Sequence, residues 1–344
     1  MCLHQRNALV VFLISFICSI ELSGQVNQPK EYRIVFYNTE NFFDTLDDPD
    51  TNDEEYTPEG KNHWTRARLE HKSMMVYRAI IAAADGHLPD IIGLAEIENL
   101  WVLEYLLKST PFGEENYGIV HKESPDPRGI DVALLYRRQT VVPLDYFFIP
   151  VHGKGSSRFS SRDILQFKAR LGNESICFFV NHWPSRGGGY METRGKRDLA
   201  AGIQRKSLDS LLTSNPQEKI LLMGDFNATP DENCLTSILG ANDLQLHVNA
   251  CRLINLSQCW RNGSTGTIRT KGHWEIFDQF LCTDILLHGA GLTISPDQTT
   301  ICHAAFLLET DSKYLGVKPF RTYLGPVYHG GVSDHLPIAT LLKK

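Results

Sequence analysis

The chain has 344 residues, 42% of them hydrophobic and 22% charged, with a formal net charge of −6. That length suffices for a buried core in one large domain or two, and the composition excludes a low-complexity or repeat protein. The negative balance excludes a global basic footprint for nucleic acid, so a polyanionic ligand would have to meet a local patch or a bound metal.

The N-terminus reads as an export signal. Arg6 is the only strong cation ahead of an apolar stretch over residues 8–20, and the small residues Ser23 and Gly24 follow. The stretch is too short for an ordinary membrane span. Cleavage near Gly24 makes 1–24 a signal peptide and 25–344 one secreted or periplasmic domain without a transmembrane span. An uncleaved anchor is the rival; a lipoprotein Cys18 is disfavoured by the bulky Phe16 and Ile17 before it. Of eight cysteines, Cys2 and Cys18 go with this leader. No CxxC occurs among the rest, which argues against zinc or thioredoxin-like chemistry. An oxidising compartment permits disulfides, with Cys251 and Cys259 the best pair; Cys177 and Cys282 read as buried thiols in core strands.

Residues 32–38 form the first expected strand, and the acidic, turn-rich 44–60 a loop. Apolar spacing at Leu69, Met75, Val76, Ala79, Ile80 and Ala83 predicts a helix over 65–84. A buried strand follows at 90–95, and Asn99 is placed to cap a helix running to 107. Strands are expected at 130–136, 146–149, 163–171, 175–180 and 220–223, an amphipathic helix at 194–212, and late strands at 277–282 and 336–342. Several strands follow one another directly, which predicts two mainly antiparallel or mixed sheets with helices outside.

The informative positions lie where apolar runs stop. Asp225 and Asn227 follow Lys219-Ile-Leu-Leu-Met223, and residues two apart in an extended segment point to one side. An acid there can orient or deprotonate a water, and an amide can hold a phosphate oxygen without changing charge. Asn38 and Glu40 repeat that spacing; Glu96, His182, Asp278 and the Asp334-His335 pair end other runs. Singly each has a bland reading: a helix cap for Glu96, a half-buried side chain for His182, turn chemistry for Asp334. Together they place acids and amides at the mouths of several strands, the hard oxygen ligands that Mg²⁺ or Mn²⁺ prefers.

In this order NTEN at 38–41, LAEIEN at 94–99, NHWPSR at 181–186, GDFNATP at 224–230, FDQF at 277–280 and SDHLP at 333–337 resemble the endonuclease/exonuclease/phosphatase superfamily, across residues 32–344. The resemblance implies an α/β (α+β) four-layered sandwich of two mixed sheets flanked by helices. It also implies a divalent-metal-dependent phosphoric ester hydrolase, with Mg²⁺, Mn²⁺ or alternatively Ca²⁺ as cofactor. It casts Glu96 as metal ligand, Asn38 as an amide supporting metal and phosphate, and Glu40 and Asp334 as further carboxylates at the metal. Asp225 orients the attacking water beside Asn227. His335 contacts the scissile phosphate and is oriented by Asp278. His182 matches the second histidine of the deoxyribonuclease-like branch, with Asp131 a candidate to orient it. Asn181 and Arg186 join Asn38 as substrate-binding candidates, with Arg194 and Arg197 as further phosphate contacts.

Two departures stand out. Gln279 follows Asp278 where the family often has Tyr or His, and the 184–189 loop resembles secreted bacterial nuclease-like members. Residues 61–66 form a second basic-aromatic patch, and Lys154 to Ser157 suggests a phosphate loop without the required spacing. The favoured expectation is an exported endonuclease on DNA or RNA, acting as a monomer without a stable protein partner. The alternatives are a sphingomyelinase- or inositol-phosphatase-like enzyme and a catalytically silent binding module. A sphingomyelinase needs an exposed apolar hairpin; Tyr146-Phe-Phe-Ile149 is the only candidate and reads as a strand.

Overall fold

The computed structural model describes residues 31–153, 159–242, 253–262 and 264–344. The leader, the 154–157 loop and Cys251, hence its expected bond to Cys259, lie outside the described residues. The strands that build the site are β1 (Glu31–Phe42), β2 (Ile91–Ile97), β3 (Tyr117–His121), β4 (Asp131–Arg137), β5 (Val141–Ile149), β6 (Ile164–Leu171), β7 (Glu174–His182) and β8 (Ile220–Asp225). The main helices are α1 (Arg66–Ala83), α2 (Leu100–Ser109) and α3 (Tyr190–Ser214).

One sheet runs Thr293–Ile294, Ile338–Lys343, β1, β2, β4, β3, and the other β5, β6, β7, β8, Asp278–Thr283, Leu253–Asn255, Ala241–Asn242. Both are mixed: β1 lies parallel to β2 and β7 to β8, while Ile338–Lys343 and Asp278–Thr283 run antiparallel to β1 and β8.

Alternation along the strands makes the layers. Ile34 and Phe36 of β1 face Phe178 and Val180 of β7 and Leu221 and Met223 of β8 in one core between the sheets. The intervening Val35 and Tyr37 pack with Val76 and Ile80 of α1 and with Leu103 of α2. On the other side Cys177, Phe179, Ile220 and Leu222 pack with Ala200, Ala201 and Leu208 of α3. A strand buried on both faces can spare no polar side chain until it ends, at about 1.5–3 kcal/mol per large apolar side chain buried. The result is helix, sheet, sheet, helix, as the resemblance implied.

Asn99 caps α2, its side chain accepting from the Val102 N–H at 2.9 Å. Cys177 and Cys282 are buried thiols. Tyr146 and Phe147 lie exposed on the edge strand β5, not at a hairpin tip. No helix among the described residues is long and apolar enough to cross a membrane.

The β7–β8 pairing brings two backbones close at the site. Gly224 pairs with Asn181, and a Cβ on Gly224 would lie 2.4 Å from the Asn181 carbonyl oxygen. Gly224→Ala is therefore expected to cost about 1–3 kcal/mol, read as a lower urea midpoint at unchanged m-value. An unchanged midpoint would show that the strands separate cheaply.

Candidate active site

Three adjacent strands end at one level. His182 on β7 pairs with Asp225 on β8, and Asp225 pairs with Asp278 on the next strand. Asn38 reaches them from the facing sheet, donating from Nδ2 to Asp225 Oδ2 at 3.0 Å. The same Oδ2 lies 3.6 Å from His182 Nε2 and 3.8 Å from His335 Nε2. The other oxygen, Oδ1, accepts the Asn227 backbone N–H at 2.8 Å. One carboxylate thus faces two imidazoles and is fixed from behind by an amide and a backbone N–H.

The strand ends are bent to do this. Glu40, Asn41, Glu96 and Asn227 all adopt positive φ. The β1–β2 register breaks between Asn38 and Phe42, and the β2–β4 register between Ala95 and Ile97. Such irregularities re-aim side chains at the rim of a sheet and are strained for non-glycine residues. They turn Glu96 toward the mouth, where its Oε2 accepts the Asn41 N–H at 2.8 Å and its Oε1 stands 3.7 Å from His182 Nε2.

The two histidines carry different charge. Burial alone would lower His335, but Asp278 and Asp225 outweigh it and hold the ring well above 6.5. The Asp278 bond runs from His335 Nδ1 to Oδ2 at 2.7 Å. His182 is held well below 6.5 by burial, with Arg162, Arg128 and His335 adding to the effect, and its Nδ1 has no hydrogen-bond partner among the described residues. Burial raises Asp225 to about 7, with His335 pulling it down and Asp278 pushing it up. Once Asp225 has lost its proton, above about 7, the site sets a charged His335 and a neutral His182 around one carboxylate.

Several expected residues have other partners. Asp131 does not orient His182: its Oδ2 lies 3.3 Å from His121 Nε2 and its Oδ1 accepts the Ser124 N–H at 2.9 Å. Asn181 is no substrate contact, because it points away from His182 into the sheet. Its Oδ1 accepts Trp183 Nε1 at 3.0 Å, and its Nδ2 donates to Met223 O at 3.4 Å. Arg186 has three of its five N–H donors engaged, by Asn227 O at 3.0 Å, Glu275 at 2.8 Å and Glu232, with its guanidinium over the Phe277 ring. It braces the Asn227 turn and is paired with two carboxylates. Arg197 is buried on Thr193 and Tyr190 O, and Arg194 pairs with Asp198. Asn227 itself donates from Nδ2 to Trp183 O at 3.0 Å. In the 61–66 patch, Trp64 is core and bonds Phe43 O. Gln279, the departure from the family pattern, ties Asn255 to Ala228 O and so supports the same turn.

Glu40 and Asp334, expected at a metal, both contact Arg321, which sequence reasoning missed. Arg321 Nη2 lies 2.6 Å from Glu40 Oε1 and 3.1 Å from Asp334 Oδ2. Lys72 was missed too: buried under Glu40, its Nζ donates to Glu40 O at 2.7 Å and Thr322 Oγ1 at 2.6 Å. A signal for Lys72 existed, since it occupies an apolar-face slot between Leu69 and Val76; Arg321 had none.

The chemistry of Glu96 fits a hard cation. Among the described residues no Lys or Arg side chain bonds the Glu96 carboxylate, and Mg²⁺ is commonly held by one or two carboxylates together with substrate phosphate. Asp225, Asp278 and His335 also have ligand atoms within 4.8 Å of one another, but Asp278 and His335 already share a proton-bearing hydrogen bond.

A profile of the Endonuclease/Exonuclease/phosphatase family matches residues 33–344. No curated protein matches the sequence. Among solved structures the chain is similar to an endonuclease/exonuclease/phosphatase family protein from Bacteroides thetaiotaomicron, with 14% identity, 92% of this chain and 95% of that one covered, and a TM-score of 0.58. It is similar to a humanized D. rerio TDP2, with 12% identity, 92% and 100% covered, and a TM-score of 0.56. It is also similar to the mannosyl-6-phosphatase of Bacteroides thetaiotaomicron, with 14% identity, 91% and 100% covered, and a TM-score of 0.54. At these identities the likeness is one of fold.

The charge assignment is testable by histidine NMR. The His335 ring is expected to stay protonated beyond neutral pH, and Asp278→Asn, which removes a carboxylate that favours the cation, to move its titration to lower pH. His182 is expected to stay neutral across the same range. An unchanged His335 titration in the variant would contradict the pairing.

Proposed function

We propose a reaction from one premise: the chain belongs to the Endonuclease/Exonuclease/phosphatase family, whose members are phosphoester hydrolases. The chain hydrolyses a phosphoric ester by in-line attack of water. The observation that carries this reading is the Asp225 carboxylate fixed by Asn38 and Asn227 and facing two imidazoles.

A phosphate at the mouth repels an anionic nucleophile, so the site must supply both a proton acceptor and positive charge. Asp225 orients the water through Oδ2 and takes its proton as the P–O bond forms. His335, kept charged by Asp278, donates from Nε2 to a phosphoryl oxygen as charge builds. The leaving oxygen takes its proton from solvent water, and His182, neutral, lines the slot with Nε2 3.7 Å from Glu96 and 3.6 Å from Asp225. A divalent cation held by Glu96 and the substrate phosphate, when bound, neutralises phosphoryl charge and polarises the ester.

For substrate, the reading is an endonuclease on DNA or RNA, exported by the 1–24 leader and acting as a monomer. The sequence motifs and the DNA-product complex of D. rerio TDP2, a protein of the same fold, support it. A second reading, a small phosphate ester, is favoured by the engagement of Arg186 and by the net charge of −6, which leave little free cation for a long polyanion.

The test is a hydrolysis panel of supercoiled DNA, RNA, sphingomyelin, an inositol polyphosphate and a sugar phosphate, with Mg²⁺ and with chelator. Metal-dependent cleavage of nucleic acid is expected, falling by about 10²-fold or more in a folded Asp225→Asn chain. Cleavage of the small esters alone would replace the substrate, and a fully active Asp225→Asn chain would remove the mechanism. On the pH axis, turnover is expected to rise through about 7 as Asp225 loses its proton and to fall again at higher pH as His335 does. Asp278→Asn moves that second limb downward.

A further inference from the structure

Glu40 and Asp334 converge on one side of the mouth, and the group between them is a guanidinium. Both Glu40 oxygens are engaged: Oε1 accepts Arg321 Nε at 2.8 Å and contacts Nη2 at 2.6 Å, and Oε2 accepts the Thr322 N–H at 2.9 Å. Asp334 gives Oδ2 to the same Nη2 at 3.1 Å. Glu96, which accepts the N–H of Asn41 next to Glu40, keeps an oxygen that no Lys or Arg side chain among the described residues holds.

Arg321 is not a casual surface partner. Its neighbours pin it on both sides, through Phe320 N to Leu307 O at 2.8 Å and Val332 N to Phe320 O at 2.7 Å. Thr322 adds a bond from Oγ1 to Val332 O at 3.0 Å and receives Lys72 Nζ. The side chain is 40% exposed while Glu40 and Asp334 hold its Nε and Nη2 edge. A guanidinium cannot shed its charge at any working pH. A second divalent cation at Glu40 and Asp334 would have to displace it or sit against it.

We propose that Arg321 excludes a second cation from Glu40 and Asp334, so that the mouth binds one divalent ion, at Glu96, and Arg321 itself supplies the second fixed positive charge that a phosphate meets. The proposal rests on the reading that this site uses a divalent cation. A prepositioned arginine offers charge and planar donors without the desolvation a second hydrated ion requires.

The experiment counts Mn²⁺ bound to the purified chain by calorimetry and by loss of the free-ion electron paramagnetic resonance signal, neither of which depends on activity. One equivalent is expected in the native chain. Glu40→Gln is expected to leave that count and its affinity unchanged, because Glu40 is not a ligand. Arg321→Met is expected to bind two, and Arg321→Met combined with Glu40→Gln to return to one. Circular dichroism confirms folding of each variant. Two equivalents in the native chain, loss of the single ion in Glu40→Gln, or one equivalent in folded Arg321→Met would each overturn the role of Arg321. If Arg321→Met does not fold, the native count and Glu40→Gln still decide. Zero equivalents in the native chain would instead remove the divalent-cation reading, and this proposal with it.

Discussion

Everything at the site depends on Asp225 being buried at the same level as His182 and Asp278 on its two flanking strands. Burial makes the carboxylate a stronger base than a surface aspartate, and the two imidazoles give that basicity a direction. Their unequal surroundings do the rest. His335 has a carboxylate at Nδ1 and is charged; His182 has an orphaned Nδ1, with Arg162 and Arg128 among its neighbours, and is neutral. One anion between a cation and a neutral donor is a polarised slot rather than a symmetric one, and a phosphate entering it has a preferred orientation.

Much of this was legible because the fold writes it locally. Strands buried on both faces read as continuous apolar runs, so their ends are marked by the first acid or amide. Asp225, Glu96, His182, Asp278 and His335 all stand out that way. The four layers follow from the same runs, since a strand with apolar residues on both faces needs cover on both sides. Asn99 was readable as a cap because its signal lies within one turn of helix.

The failures concern what a side chain does once its strand end is known. Asp131 sits at a strand start and looked free for His182, but His121 on the neighbouring strand reaches it first. Asn181 precedes His182, and strand alternation sends it to the opposite face. Arg186 looked like a phosphate contact on a loop, yet Glu232 and Glu275, distant in sequence, close on it. Arg321 is the extreme case: its partner Glu40 is 281 positions away, and nothing local marks it. Pairings set by tertiary closure leave no periodic trace, and those are the pairings that decide which carboxylates remain open to a ligand.

The central claim is a single displacement by a water that Asp225 aligns. The stereochemical course at phosphorus, followed with a chirally labelled phosphorothioate ester of whichever substrate is cleaved, tests it most directly. One in-line attack predicts inversion of configuration. Retention would require two displacements through a covalent enzyme intermediate, and would contradict the role of Asp225 as the group that aligns the attacking water.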